Sequence, residues 1–261
     1  MSTPDDPRLS FNQAAETYAA VRPSYPPDLF DALFGLLPAQ PEIVEVGPGT
    51  GLATKDLLAR GGSVHAIEIG PAMAAELRTN LASEQLRISV GDFETLNIDA
   101  NSADAVFSAS AYHWISRSAQ ADRPAAILRP GGLAAIVDLI QVDSPDDLGF
   151  FAAADPVYER YGQGHYGPPA PRRQDVDPAI REVLDADSRF GPVAVRHHDW
   201  NQTYSAADYR KLMLSYSGTL MMDETERSGL LDDIESFITD EFDGIVTRPL
   251  VATLTTATLT G

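Results

Sequence analysis

Nine residues constrain this chain more than any others: Ile43-Val44-Glu45-Val46-Gly47-Pro48-Gly49-Thr50-Gly51. The first four read as a short strand, apolar enough to lie buried on both faces. Three glycines on alternate positions follow at once. Glycine takes positive φ without steric cost and lets another group approach the backbone closely. The pattern predicts a helix running to about Arg60, with Thr50 as its cap and Leu52, Leu57 and Leu58 on one packed face. The start of a helix also presents free N–H groups.

A strand, a glycine turn and a helix serve more than one ligand class. A dinucleotide site wants G-x-G-x-x-G, where the third glycine permits close helix–strand packing. Gly47 and Gly49 fill the first two places, but the third falls on Leu52. The glycines instead read G-x-G-x-G behind an acid, Glu45. A turn with no ligand is the bland reading of the same residues.

Composition narrows the field. With 261 residues, of which 44% are hydrophobic, the chain can bury a large core. It has no cysteine, which excludes disulfides and thiolate metal ligands. No apolar run of about 18 residues is present, so no membrane-spanning helix is expected. The first residues are polar and acidic, unlike a signal peptide, and a cytoplasmic protein is the expectation. The net charge of −19 argues against nucleic acid as substrate, because phosphate binding needs clustered Lys and Arg. His197 and His198, adjacent on a predicted strand, point to opposite faces, and His165 has no partner at ligand spacing, so no metal site is expected.

The remaining pattern alternates strands and helices. A helix is expected from Asp28 to about Leu37. Ser63 to Glu68 reads as the second strand, ending in an acid that can accept both hydroxyls of a ribose or simply be a solvated strand end. A helix follows from Pro71 to Leu81, then a third strand at 86–90 with Asp92-Phe93 after it. The fourth strand, 104–110, leads into Tyr112-His113-Trp114. A helix at 118–128 stops in the turn Arg129-Pro130-Gly131-Gly132, and the fifth strand is expected at 133–140. Residues 141–191 break the rhythm and read as a lid, partly helical at 147–161 and 177–186. A strand at 193–204, helices at 206–216 and 223–242 and a strand at 247–259 complete the chain. Four segments are expected: an N-terminal helical cap (1–40), a core (41–140), a lid or substrate insertion (141–191) and a completion of the core sheet (192–261).

Five features fall in register after successive strands: Glu45-x-Gly47-x-Gly49-x-Gly51, Glu68, Gly91-Asp92-Phe93, Ser110-Ala111-Tyr112-His113-Trp114, and Leu128-Arg129-Pro130-Gly131-Gly132-Leu133. Together they resemble the class I S-adenosylmethionine-dependent methyltransferases over about residues 10–140. Phe11, Tyr18, Arg22-Pro23-x-Tyr25-Pro26 and His113-Trp114 are similar to the methyltransferase-11-like branch. The resemblance implies an α/β, Rossmann-like fold: a seven-stranded, mostly parallel sheet with an antiparallel last strand, plus the lid. It implies S-adenosylmethionine as cofactor and S-adenosylhomocysteine as product. Glu45, Gly47, Pro48, Gly49 and Gly51 would frame the methionine end, and Tyr18, Arg22 and Tyr25 either close over it or pack the N-terminus. Glu68 would hold the ribose, Ile69, Met73, Asp92 and Phe93 the adenine, and Ser108 and Ser110 would lie under the sulfonium.

The implied reaction is methyl transfer to a small-molecule acceptor, oxygen or nitrogen ahead of carbon, plausible in secondary metabolism. His113 is the candidate base, because it follows the fourth strand and histidine titrates near neutrality; a structural or substrate-orienting role is the alternative. Tyr25, Tyr112, Trp114, Tyr158 and Tyr216 are candidate acceptor contacts, although aromatic residues more often form core. Two other chemistries stay open: a cyclisation or rearrangement on the same fold, and a nicotinamide oxidoreductase. Oligomeric state is not legible.

Overall fold

The computed structural model describes residues 24–164 and 169–260. Strand β1 (Glu42–Val46) pairs in parallel with β2 (Ser63–Glu68) on one side, Ile43 opposite Val64, and with β4 (Ala103–Ala109) on the other, Ile43 opposite Ala105. Strand β3 (Leu86–Val90) adds beyond β2, and β5 (Leu128–Gln141) adds beyond β4. With β6 (Ala194–Ser205) and β7 (Ile245–Thr258) the order is β3-β2-β1-β4-β5-β7-β6, mostly parallel with the last strand antiparallel. This is the expected sheet.

Successive strand residues point to opposite faces, and each face has its own core. Ile43, Val64 and Ala105 pack with Leu29, Phe30 and Leu33 of α1 (Pro27–Phe34), Leu57 of α2 (Thr54–Ala59) and Leu77 of α3 (Pro71–Asn80). Val44, Val46 and Val106 pack with Phe93 and with Ile127 of α4 (Ala119–Ile127). Both faces are covered, so β1 carries no solvent-facing polar residues after Glu42, the behaviour of a parallel central strand.

The chain divides into two compact units. The first holds residues 24–140, 177–199 and 251–260, including α6 (Ile180–Asp185). The second holds residues 141–164, 169–176 and 200–250. Its core joins Phe150 of α5 (Phe150–Arg160), Tyr209 and Leu212 of α7 (Ala206–Met213), and Leu230, Ile234 and Ile238 of α9 (Glu224–Glu241). The short α8 (Ser217–Leu220) lies between α7 and α9 in the chain.

Two local expectations need correction. Helix α2 starts at Thr54, not beside Thr50, because Gly49 and Gly51 take φ of +57° and +98°, which a right-handed helix does not admit. Among the described residues the buried Thr50 hydroxyl has no hydrogen-bond partner, so it caps no helix there. Strand β5 starts at Leu128, five residues early: Leu128 pairs with Ala103, then the register shifts before Leu133 meets Ala105. The sequence Arg129-Pro130-Gly131-Gly132 is thus an irregularity within the strand rather than a turn before it, with Gly131 at φ +82°.

Candidate active site

The turn after β1 is held in place by its neighbours. Gly47 takes φ +65° and donates its N–H to the Ile67 carbonyl at 2.9 Å. A Cβ there would lie 2.5 Å from the Ala111 Cβ, so the turn and the segment after β4 approach as only glycine permits. The Gly49 N–H donates to Glu68 Oε2 at 3.0 Å, and the Gly70 N–H donates to Oε1 at 2.8 Å. The carboxylate at the end of β2 is therefore fixed between two backbone turns. Burial pushes its pKa up, while the N–H groups of Gly70, Gly49 and Ile69 pull it down.

Glu45 is buried deeper, at 1% exposure. Thr54 Oγ1 donates to its Oε2 at 2.7 Å. Burial pushes its pKa up to about 8; the Thr54 bond opposes that and the nearby Glu68 charge adds to it.

The expected adenine residues occupy three positions. Met73 is buried on α3 and Ile69 is half-buried after β2. Asp92 is half-buried and accepts the Glu94 N–H at 3.0 Å. Phe93 belongs to the core beneath, with the Arg123 guanidinium 5.3 Å from its ring centre and Arg123 Nε donating to its carbonyl.

The end of β4 carries the rest. Ser108 Oγ donates to the Val46 carbonyl at 2.8 Å, tying β4 to β1. Ser110 takes φ +55° and accepts the Tyr25 hydroxyl at 3.1 Å. A short 3-10 turn (Tyr112–Trp114) follows. A cavity of about 570 Å³ lies there, walled by Ser110, His113, Ile136, Asp138, Ile140 and Ile180 among others. His113 stands exposed at its edge, 5.0 Å from the Trp114 ring. Partial burial lowers its pKa and the Asp138 charge opposes that; burial raises Asp138 and His113 opposes that in turn. Tyr112 walls the same cavity, but its hydroxyl donates to the Gln120 carbonyl at 2.7 Å and burial pushes its phenol far above the usual range.

The first unit thus brings together Tyr25, Glu45, the glycine turn with Pro48, Glu68, Asp92, Ser108, Ser110 and His113 at the carboxyl ends of adjacent strands, where open α/β sheets bind ligands. Tyr158 and Tyr216 belong to the second unit, where Tyr158 pairs with Tyr209 and Tyr216 with Arg248. Tyr18, Arg22 and His165 lie outside the described residues. Sequence reading missed Asp138; its signal was a single acid inside the apolar run Leu133–Ile140. It also missed Thr54, whose hydroxyl partners Glu45 only because α2 begins there.

Residues 44–136 match the family model of the methyltransferase domain. An uncharacterized methyltransferase of Mycobacterium tuberculosis is 39% identical over 133 residues, 51% of this chain and 53% of that protein. The chain spans about half the length of the curated relatives it matches. A structure from Anaeromyxobacter dehalogenans described as a type II methyltransferase superposes with a TM-score of 0.59, at 19% identity, over 92% of this chain and 97% of that one. A Haemonchus contortus phosphoethanolamine N-methyltransferase, in complex with phosphomonomethylethanolamine and S-adenosylhomocysteine, gives 0.56 at 15% identity, over 97% of this chain and 60% of that one. With its sheet order, glycine turn and strand-end acids, and with the methyltransferase-domain match over residues 44–136, this chain is similar to the class I S-adenosylmethionine-dependent methyltransferases.

Proposed function

We propose that the protein transfers the methyl group of S-adenosylmethionine to a hydroxyl or amine of a small-molecule acceptor and releases S-adenosylhomocysteine. The observation that carries this reading is the fixed Glu68 carboxylate. Each of its oxygens already takes one backbone N–H. The Ile69 N–H also acts on it, and an ionised carboxylate offers about four lone-pair positions, so about one remains for a ribose hydroxyl. The donor set therefore fits the cofactor.

Gly47, Pro48, Gly49 and Gly51 would carry the methionine end with Glu45, joined by Tyr18 and Arg22 from the N-terminal segment. Ile69, Met73, Asp92 and Phe93 would bound the adenine, with the Asp92 carboxylate accepting from its amine. Ser108 and Ser110 would line the methyl side. When bound, the cofactor supplies a methyl already activated by a sulfonium, so the protein's task is alignment. The acceptor would lie in the cavity beside Ser110, its body against Ile136, Ile140 and Ile180. His113 would take the proton of a hydroxyl or ammonium, and Asp138 would hold the imidazole ready and stabilise its charge. Tyr112 and Trp114 would act as wall.

A small acceptor is supported by the net charge of −19, which disfavours a polyanion. Among the described residues no helix is long and apolar enough to cross a membrane. The test is incubation with methyl-labelled cofactor and a panel of phenols, alcohols and amines. Label in an acceptor, with stoichiometric S-adenosylhomocysteine, supports the reading. Turnover that leaves the cofactor methyl in place contradicts it.

A further inference from the structure

Among the described residues, the hydrogen-bond partners of Arg248, on β7 in the second unit, are neutral groups. Its Nε and Nη2 donate to Gln141 Oε1 at 3.2 and 2.9 Å, and its Nη1 donates to the Tyr216 hydroxyl at 2.6 Å. The guanidinium carbon lies 5.9 Å from the Tyr216 ring centre. Tyr158, Tyr204 and Tyr209 stand close enough to act on its charge, and the Tyr158 and Tyr209 hydroxyls are 3.2 Å apart. Burial pushes the Tyr158 phenol up to about 12 and the Tyr209 phenol well above the usual range, so these two hydroxyls stay neutral near neutral pH.

Three other arginines of this unit show what is missing, while the half-buried Arg227 donates to the Leu220 carbonyl. Arg160 pairs with Asp233, Arg173 with Asp146, and Arg210 with Asp232, at 3.1, 3.1 and 2.6 Å. The chain has 38 acids to 19 bases, so a partner would be easy to place. Yet among the described residues no carboxylate forms an ion pair with Arg248. Arginine cannot shed its proton, so this cation persists in dense surroundings, where an uncompensated charge is costly. An amide oxygen sits in the fork where a carboxylate or phosphate would bond through two oxygens.

We propose that Arg248, with the hydroxyls of Tyr158, Tyr209 and Tyr216, forms a binding site for one oxyanion group, a carboxylate or a phosphate, of a small organic ligand. Gln141 holds the fork until the ligand arrives and then yields it. The proposal does not rest on methyl transfer and is tested without cofactor.

The experiment titrates the full chain in chloride buffer with inorganic phosphate, acetate, phenyl phosphate and benzoate, followed by calorimetry. Saturable binding of at least one organic probe is expected, tighter than its free ion. Arg248→Gln should weaken it roughly tenfold to a hundredfold, the loss of one charge-assisted pair. Exposed Arg196→Gln should leave it unchanged. Gln141→Glu supplies the missing anion from within the chain, so it should raise the Tm of the free protein and abolish probe binding; it carries the test if Arg248→Gln does not fold. No saturable binding, free ions binding as well as the organic probes, or full binding by Gln141→Glu would each overturn the proposal.

Discussion

Thr54 Oγ1 donates to Glu45 Oε2 at 2.7 Å, and among the described residues this is the one side-chain hydrogen bond of a carboxyl group sealed in the core. The turn at Gly49–Gly51 delays the start of α2 until a threonine reaches the acid. The glycines thereby set the chemistry of Glu45 as well as the path of the chain.

The first consequence is a pH dependence of stability. The folded pKa of Glu45 is raised from 4.5 to about 8. Its contribution is fully present below the unfolded value and is lost as pH rises through the folded one, at about 1.4 kcal/mol per unit. Glu45→Gln keeps an acceptor for Thr54 without the titration. Its stability relative to wild type, from urea unfolding, should climb steadily between pH 4.5 and 8. Parallel pH curves for the two proteins would rule this out.

A second consequence concerns binding. Near pH 7 the free protein holds Glu45 protonated. If Glu45 faces the ammonium of the bound cofactor, its pKa falls and a proton leaves. Calorimetry of S-adenosylhomocysteine in two buffers of different ionisation enthalpy should report up to one proton released for wild type and close to none for Glu45→Gln. Equal release by both would remove Glu45 from the methionine end.

The glycine turn offers a steric test. Gly47 and Gly131 both take positive φ, but a Cβ on Gly47 meets Ala111 at 2.5 Å while one on Gly131 meets nothing within 4 Å. Gly131→Ala should cost about 1 kcal/mol, the left-handed penalty alone. Gly47→Ala should cost more, by roughly 2 kcal/mol or beyond, and weaken cofactor binding. Equal losses in thermal unfolding would show that Ala111 gives way freely.

The acids stood out because Glu45 lies inside the short apolar strand β1 just before the glycine turn and Glu68 ends the short apolar strand β2. The seven-stranded, mostly parallel sheet with its antiparallel last strand followed from the family resemblance of the five strand-end motifs. What escaped depends on register across the sequence. Asp138 looked like one polar residue in an apolar strand, and only the fold sets it across a cavity from His113. Arg248 lies in an alternating Val, Leu and Thr strand, and nothing local reveals that Gln141 and Tyr216 surround it. Thr50 was misread because a cap preference says nothing about the φ angles on either side of it.

For the acceptor side, His113 as base requires an acid limb in kcat/KM below pH 6.5, since partial burial lowers its pKa. Asp138 holds that pKa up, so Asp138→Asn should move the limb to still lower pH. His113→Gln should lower kcat by roughly a hundredfold to ten-thousandfold and remove the limb. A limb that persists in His113→Gln would assign the proton to another group.

The central claim is that the turn after β1 and the acid after β2 form one cofactor site. The most direct measurement is calorimetric titration of S-adenosylhomocysteine into wild type and Glu68→Ala, with folding of the variant checked by circular dichroism. The account predicts saturable micromolar binding by wild type and at least about a tenfold loss in the variant, as expected when a charged acceptor of a hydroxyl bond is removed. Equal affinity in a folded Glu68→Ala, or no binding by wild type, would contradict it.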